Sequence, residues 1–139
     1  MTVKTRRLQI RTEGENSIID LSSKVQKEIE ASGLTRGIVT VFVPGSTGAL
    51  TTMEYEPGLK QDFPTMLETV SPRDKWYEHE NTWHDHNGHS HVRASLVGAS
   101  LTIPFEGAKL LLGTWQQVVF IECDIRPRER EIILQIMGQ

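Results

Sequence analysis

Hydrophobic and polar positions alternate along much of this chain at one of two periods, and the two periods separate strands from helices. From Val3 to Arg11, Leu8 and Ile10 fall on one side of an extended segment with arginines around them, which predicts an outer strand. From Ser17 to Ser32 the apolar positions Ile18, Leu21, Val25 and Ile29 form a helical stripe, and Gly33 stands where a left-handed stop belongs. Gly37–Val43 is a nearly unbroken β-branched run, predicting a strand covered on both faces and ended by Pro44-Gly45. Leu59, Phe63, Leu67 and Val70 make a second helical stripe, which Pro64 must either kink or start. Ser90 can cap a third helix with stripe Val92, Leu96 and Ala99, placing His91 in its first turn. Ser100–Phe105 and Lys109–Leu112 read as a hairpin about Glu106-Gly107-Ala108, followed by a strand over Val118–Asp124 and a last strand in which Ile132, Leu134 and Ile136 alternate with Ile133, Gln135 and Met137. About seven strands in hairpin-like groups with two to three helices predict an α+β fold built on a mixed or antiparallel β-sandwich.

Composition narrows this picture. The chain has 139 residues, the usual size of one domain, so 1–139 is read as a single unit. Charged residues are 24%, hydrophobic residues 37%, and the net charge is −3, a balance that suggests neither disorder nor a nucleic-acid surface. No apolar run approaches a membrane span or follows the basic N-terminus as a leader would, and the single cysteine, Cys123, fits a reducing compartment. The expectation is a cytoplasmic protein with no nucleic-acid or membrane partner.

Chemistry concentrates in one stretch. All five histidines, His79, His84, His86, His89 and His91, lie within thirteen residues. Neutral imidazoles in such density suit a divalent metal, zinc first, and three with an open position would make a catalytic centre; the alternative is a solvated polar loop. Pro44–Thr52 empties from a buried strand with small and hydroxyl residues, so backbone N–H groups near Ser46, Thr47 and Gly48 can approach an anion, although a plain turn has the same composition. Glu122 shares a strand face with Val118 and Phe120 and therefore needs a lysine, an arginine or a metal as partner, or an exposed strand end. Asp62 precedes Pro64 and serves either as a helix cap or in chemistry. Trp115, delivered after Gly113 with Gln116 beside it, either caps the core or walls a pocket.

The segments V-F-V-P-G-S-T-G-A-L-T-T-M-E, W-Y-E-H, G-H-S-H-V-R-A-S-L-V-G-A-S-L-T-I-P and L-G-T-W-Q-Q-V-V-F-I-E carry an end-to-end resemblance to the YjbQ family, formerly grouped as UPF0047, whose members are often labelled secondary thiamine-phosphate synthase. The resemblance implies a homotrimer with a pocket near subunit boundaries that can hold a metal through histidines. It assigns His79 and His91 as ligands, Glu54, Asp62 and Glu122 as the pocket's acidic residues, and Trp115 and Gln116 as its further catalytic residues. Many relatives carry a histidine directly after the strand and its proline, where this chain has Gly45; His89 is the replacement expected if its lead-in is extended, since it would then share a side with His91. The reaction implied is attack of a thiazole phosphate nitrogen on a pyrimidine pyrophosphate with release of pyrophosphate. Ser46, Thr47, Gly48 and Arg93 would serve as anion contacts, and zinc, or magnesium with a pyrophosphate substrate, as cofactor. Metal-assisted hydrolysis of a phosphorylated or acyl metabolite, with three histidines and Glu54 or Glu122 as general base, and a trimeric metal- or metabolite-binding protein without turnover are the competing classes.

Overall fold

The computed structural model describes residues Met1–Gln139 as two antiparallel sheets, with the Ser22–Ser32 helix packed into the core they share and the Pro57–Val70 and Gly88–Val97 helices on the far face of the smaller one. In chain order the elements are β1 (Thr2–Arg11), β2 (Ile18–Asp20), α1 (Ser22–Ser32), β3 (Arg36–Phe42), β4 (Gly48–Met53) and α2 (Pro57–Val70). After these come α3 (Glu80–Trp83), α4 (Gly88–Val97), β5 (Ser100–Glu106), β6 (Lys109–Leu110), β7 (Gln117–Glu122) and β8 (Glu129–Gly138). The larger sheet runs β1-β8-β3-β5-β6 and the smaller β2-β7-β4, so the α+β sandwich expected from the pattern is present, with eight strands and four helices.

Strand alternation builds the main core. Val39, Val41, Ile132, Leu134 and Ile136 turn inward from β3 and β8 and meet Leu50, Val118 and Phe120 of the smaller sheet, while Leu21, Val25 and Ile29 bring α1 into the same layer. Burying side chains of this size contributes on the order of 1.5–3 kcal/mol each. A smaller cluster lies on the far face of the three-stranded sheet, where Ala49, Met53, Val119 and Ile121 pack against Ala94 with Leu59 and Phe63 alongside. The backbones of β3 and β8 cross closely at Gly37 and Gly138, and a Cβ at Gly37 would lie 1.9 Å from the Met137 carbonyl oxygen.

Several expectations are corrected. The apolar stripe from Ile18 is not all helix: Ile18–Asp20 pair with Val119–Ile121 as β2, and α1 starts at Ser22, because the edge of β7 offers a ladder to this stretch. Gly33 does end α1 in the left-handed region, φ 74°. In β3 one face is open, with Ile38 and Phe42 exposed, so the β-branched run is half-covered within one chain. Lys109–Leu112 contributes only the two residues of β6. Pro64 lies inside α2, whose cap is the Glu56 carboxylate accepting from the N–H groups of Gly58 and Leu59, so Asp62 is an exposed mid-helix residue and caps nothing. The N-cap position of α4 is Asn87, not Ser90, and its first turn begins three residues earlier than the capping pattern suggests.

Two of the crossovers between the sheets lie together at one end of the sandwich. Pro44–Thr47 carries the chain from β3 to β4, and Cys123–Arg128 carries it from β7 to β8. The Cys123 N–H donates to the Thr47 carbonyl at 3.0 Å and ties the two connections together. The first turn of α4 reaches the same end.

Candidate functional site

Between the crossovers lies a cleft of about 600 Å³, lined from one side by Pro44–Thr47 and from the other by Asp124–Glu131, with Asp85, Asn87 and His91 closing it. Ile125 is its one large apolar side chain. Three guanidinium groups, of Arg126, Arg128 and Arg130, line it together.

The arginines are not equivalent. Arg130 continues the buried stripe of Ile132, Leu134 and Ile136, so the alternation of β8 aims it inward. There its Nε donates to Glu122 Oε2 at 2.9 Å and its Nη2 to Thr47 Oγ1 at 2.9 Å, with the Phe120 ring 5.8 Å away. Glu122 is fully buried and also accepts from Thr12 Oγ1 at 2.8 Å and from the Asp124 N–H at 3.1 Å. The partner this carboxylate required is therefore Arg130. The remaining nitrogen, Nη1, faces Gly45: a Cβ there would sit 3.3 Å from it, so the missing side chain leaves the guanidinium open to the cleft. Arg128 Nη1 donates to Asp124 at 2.8 Å, and Arg126 forms no ion pair within the chain. The acidic liners Glu129 and Glu131 are turned to arginines outside, Arg11 and Arg7 respectively. Burial pushes the Asp124 carboxyl up, but the Ile125 N–H, Asn87, Arg128 and Thr47 together outweigh it and leave the acid below its usual range.

The histidines divide into two groups. His79 and His91 lie ring against ring with centroids 4.3 Å apart. Partial burial and the neighbouring His79 hold the His91 imidazolium below its ordinary pKa, against the opposing pull of Asp85 and Asp124, so His91 favours the neutral form. His84 and His86 have φ of 56° and 59°, and these two left-handed residues fold the chain so that Asp85 Oδ1 comes 3.3 Å from His79 Nε2. The Asn87 amide bridges this group to the cleft: in one orientation it donates to Asp124 at 3.4 Å, and rotated by half a turn it donates to Asp85 at 2.7 Å and to His79 Nε2 at 3.1 Å.

His89 is elsewhere. Residues Gly88–Val97 are helical, where a two-residue step turns a side chain through roughly 200° rather than returning it to the same side. His89 and Arg93, four residues apart, share the inner face and His91 takes the opposite one. His89 Nε2 lies 2.8 Å from Glu15, and Arg93 joins Glu15 at 3.2 Å, Glu68 at 2.6 Å and the Ser71 carbonyl at 3.0 Å. Both are 1% exposed. The expectation that His89 joins His91 and that Arg93 contacts an anion is corrected on this geometry: they anchor the Glu13–Asn16 loop to α2 and α4. No group of three or more His, Cys, Asp and Glu side chains is arranged to hold a metal within the isolated chain.

Ser46 and Thr47 line the cleft, and Gly48 lies beside it at the start of β4. Glu54, Trp115 and Gln116 gather at the other end of the smaller sheet, where Met53 pairs with Gln117; with Gly48 paired to Glu122 at the cleft end, the two ends are roughly 17 Å apart at strand rise. Trp115 is 72% exposed, so it caps no core in the single chain, and Gln116 donates to Thr52 Oγ1 at 3.1 Å. Asp62 is exposed on α2 and does not line the cleft. The residues that sequence reasoning missed are Asp85, Asn87, Asp124 and the arginines of R-P-R-E-R. Their signal was spacing: Arg126, Arg128 and Arg130 recur at period two and so fall on one side of an extended chain.

The sequence model for the family described as UPF0047 protein YjbQ-like matches residues 6–139. A UPF0047 protein of Methanothermobacter thermautotrophicus is 40% identical over 139 residues, covering 100% of this chain and 95% of its own. The UPF0047 protein YugU of Bacillus subtilis is 34% identical over 133 residues, covering 94% of this chain and 97% of its own. A crystal structure of a YbjQ-like protein of unknown function from Sulfolobus solfataricus superposes with TM-score 0.89 at 30% identity, covering 99% of this chain and 100% of that one.

Proposed function

The chain belongs to the UPF0047 family of YjbQ-like proteins, and we propose that it binds a small phosphorylated metabolite in its arginine-lined cleft and transforms it beside the His79–His91 pair. The observation that carries this reading is the set of cationic donors left available there: Arg126 without an ion pair and Arg130 Nη1 reachable past Gly45, with the Ser46-Thr47 crossover facing them. Guanidinium groups match phosphate oxygens in planar, charge-assisted pairs, and donors already fixed in place stabilise charge that develops on a leaving phosphate or pyrophosphate. The specific reaction proposed is the thiamine-phosphate-synthase-like one: a C–N bond forms from the thiazole phosphate nitrogen, the C–O bond to pyrophosphate breaks, and pyrophosphate departs with the electron pair into the arginine cleft.

The proposal extends to a divalent ion, zinc first and magnesium with a pyrophosphate ligand. The donors brought near one another are His79, His91 and Asp85, a chemically suitable set that is not closed in the single chain. Such an ion, when bound, would neutralise phosphate charge as a Lewis acid. The homotrimer is proposed with it, because Trp115, Gln116 and Glu54 reach a cleft only if a second subunit brings them there. No helix is long and apolar enough to cross a membrane.

Incubation with a pyrimidine pyrophosphate and a thiazole phosphate, reading pyrophosphate and inorganic phosphate separately, tests the reading. Pyrophosphate release that requires both substrates supports the transferase. Phosphate release from one substrate alone would replace it with hydrolysis, and saturable binding without product would make the protein a binding module.

A further inference from the structure

The cleft does not end at His91. Beyond the imidazole a second depression, of about 460 Å³, runs between the Gly45–Gly48 crossover and the last turns of α4. It shares Gly45, Ser46 and His91 with the arginine cleft and is otherwise walled by Gly48, Ala94, Ser95 and the Gly98-Ala99 pair. The two neighbouring depressions differ in chemistry. One carries three guanidinium groups and several carboxylates, and the other carries no charged side chain apart from the shared imidazole. A charge entering the second depression would lose hydration with no partner except the Arg130 guanidinium beneath Gly48, which Glu122 already holds, whereas an uncharged group would lose little. The floor there is fixed, since a Cβ at Gly48 would lie 2.7 Å from the Phe120 ring, while a Cβ at Gly98 would meet nothing within 4 Å.

Resting on the phosphate reading of the arginine cleft, we infer that the ligand is a phosphate ester of an uncharged organic group, held with its anion among the arginines and its neutral part in the groove along α4. His91 then stands beside the atoms that join the two parts. The division excludes ligands charged at both ends and gives inorganic phosphate only half of the available contacts.

Calorimetric titration with inorganic phosphate, phenyl phosphate and 4-carboxyphenyl phosphate tests this directly. Phenyl phosphate should bind about tenfold more tightly than inorganic phosphate, the scale expected for covering one face of a ring, and the added carboxylate should abolish the gain. Ser95 is exposed on α4, so Ser95→Phe, or the smaller Ser95→Leu, plugs the groove without entering the core. Either variant should bring phenyl phosphate down to the affinity of inorganic phosphate and leave the latter unchanged, with an unaltered melting temperature showing an intact fold. Inorganic phosphate bound equally well as phenyl phosphate would overturn the groove and leave the arginine cleft standing. Absence of binding by all three would overturn both.

Discussion

Arg130 and Glu122 form an ion pair at the floor of the cleft: Glu122 is 0% and Arg130 4% exposed, Nε donates to Oε2 at 2.9 Å, and only the outer edge of the guanidinium meets the cleft. Removing one partner of such a pair strands the other charge away from water. Glu122→Ala should therefore destabilise the fold by about 3–5 kcal/mol, and Glu122→Gln, which keeps one acceptor oxygen, by less. Urea denaturation measures both. A cost below about 1 kcal/mol for the alanine variant would mean that Arg130 finds another partner and that this pair does not set the cleft floor.

Acid should weaken the cleft through Asp124. Its folded pKa is depressed, so ionised Asp124 contributes stability in full above its unfolded value of about 3.9, and that contribution is lost as pH falls through the lower folded value. The stability advantage of the native chain over Asp124→Asn should hold level from about pH 7 to 5 and shrink between about pH 4 and 2. Denaturation midpoints across that range check it, and a gap that does not change with pH would contradict the assignment.

The parts of the fold that were legible in sequence are those where one period rules a whole segment. Ile132, Leu134 and Ile136 marked β8, and Gly33 marked the end of α1, since local chemistry and tertiary packing agree there. Ile18–Asp20 misled because its apolar residues fit a helix stripe equally well, and only β7, distant in sequence, decides for a strand. His79 and His91 were visible as chemistry. The placement of His89 was not, because two residues' separation means one side in a strand and opposite sides in a helix, and α4 begins just before it. R-P-R-E-R reads as a charged turn until the burial stripe of β8 is followed back into Arg130.

Trp115 offers a test of the proposed trimer. Its side chain is 72% exposed, so Trp115→Leu should change the unfolding free energy by no more than about 0.5 kcal/mol. Light scattering of the native protein should give three times 15.7 kDa, and the variant should dissociate more readily or bind metabolite less tightly at equal fold stability. A native monomer, or a variant that unfolds, would count against a role for this residue across subunits.

The claim on which the rest depends is that the arginine cleft takes a phosphate-bearing anion. Arg126 is exposed and unpaired within the chain, so its removal tests binding with little effect on the fold. Titration of pyrophosphate into the native protein and into Arg126→Ala is the direct measurement, repeated at two salt concentrations. The account expects saturable binding that weakens about tenfold in the variant, a loss of about 1.4 kcal/mol, and that also weakens with salt. Equal affinity in the two proteins, or no saturable binding by the native one, would contradict it.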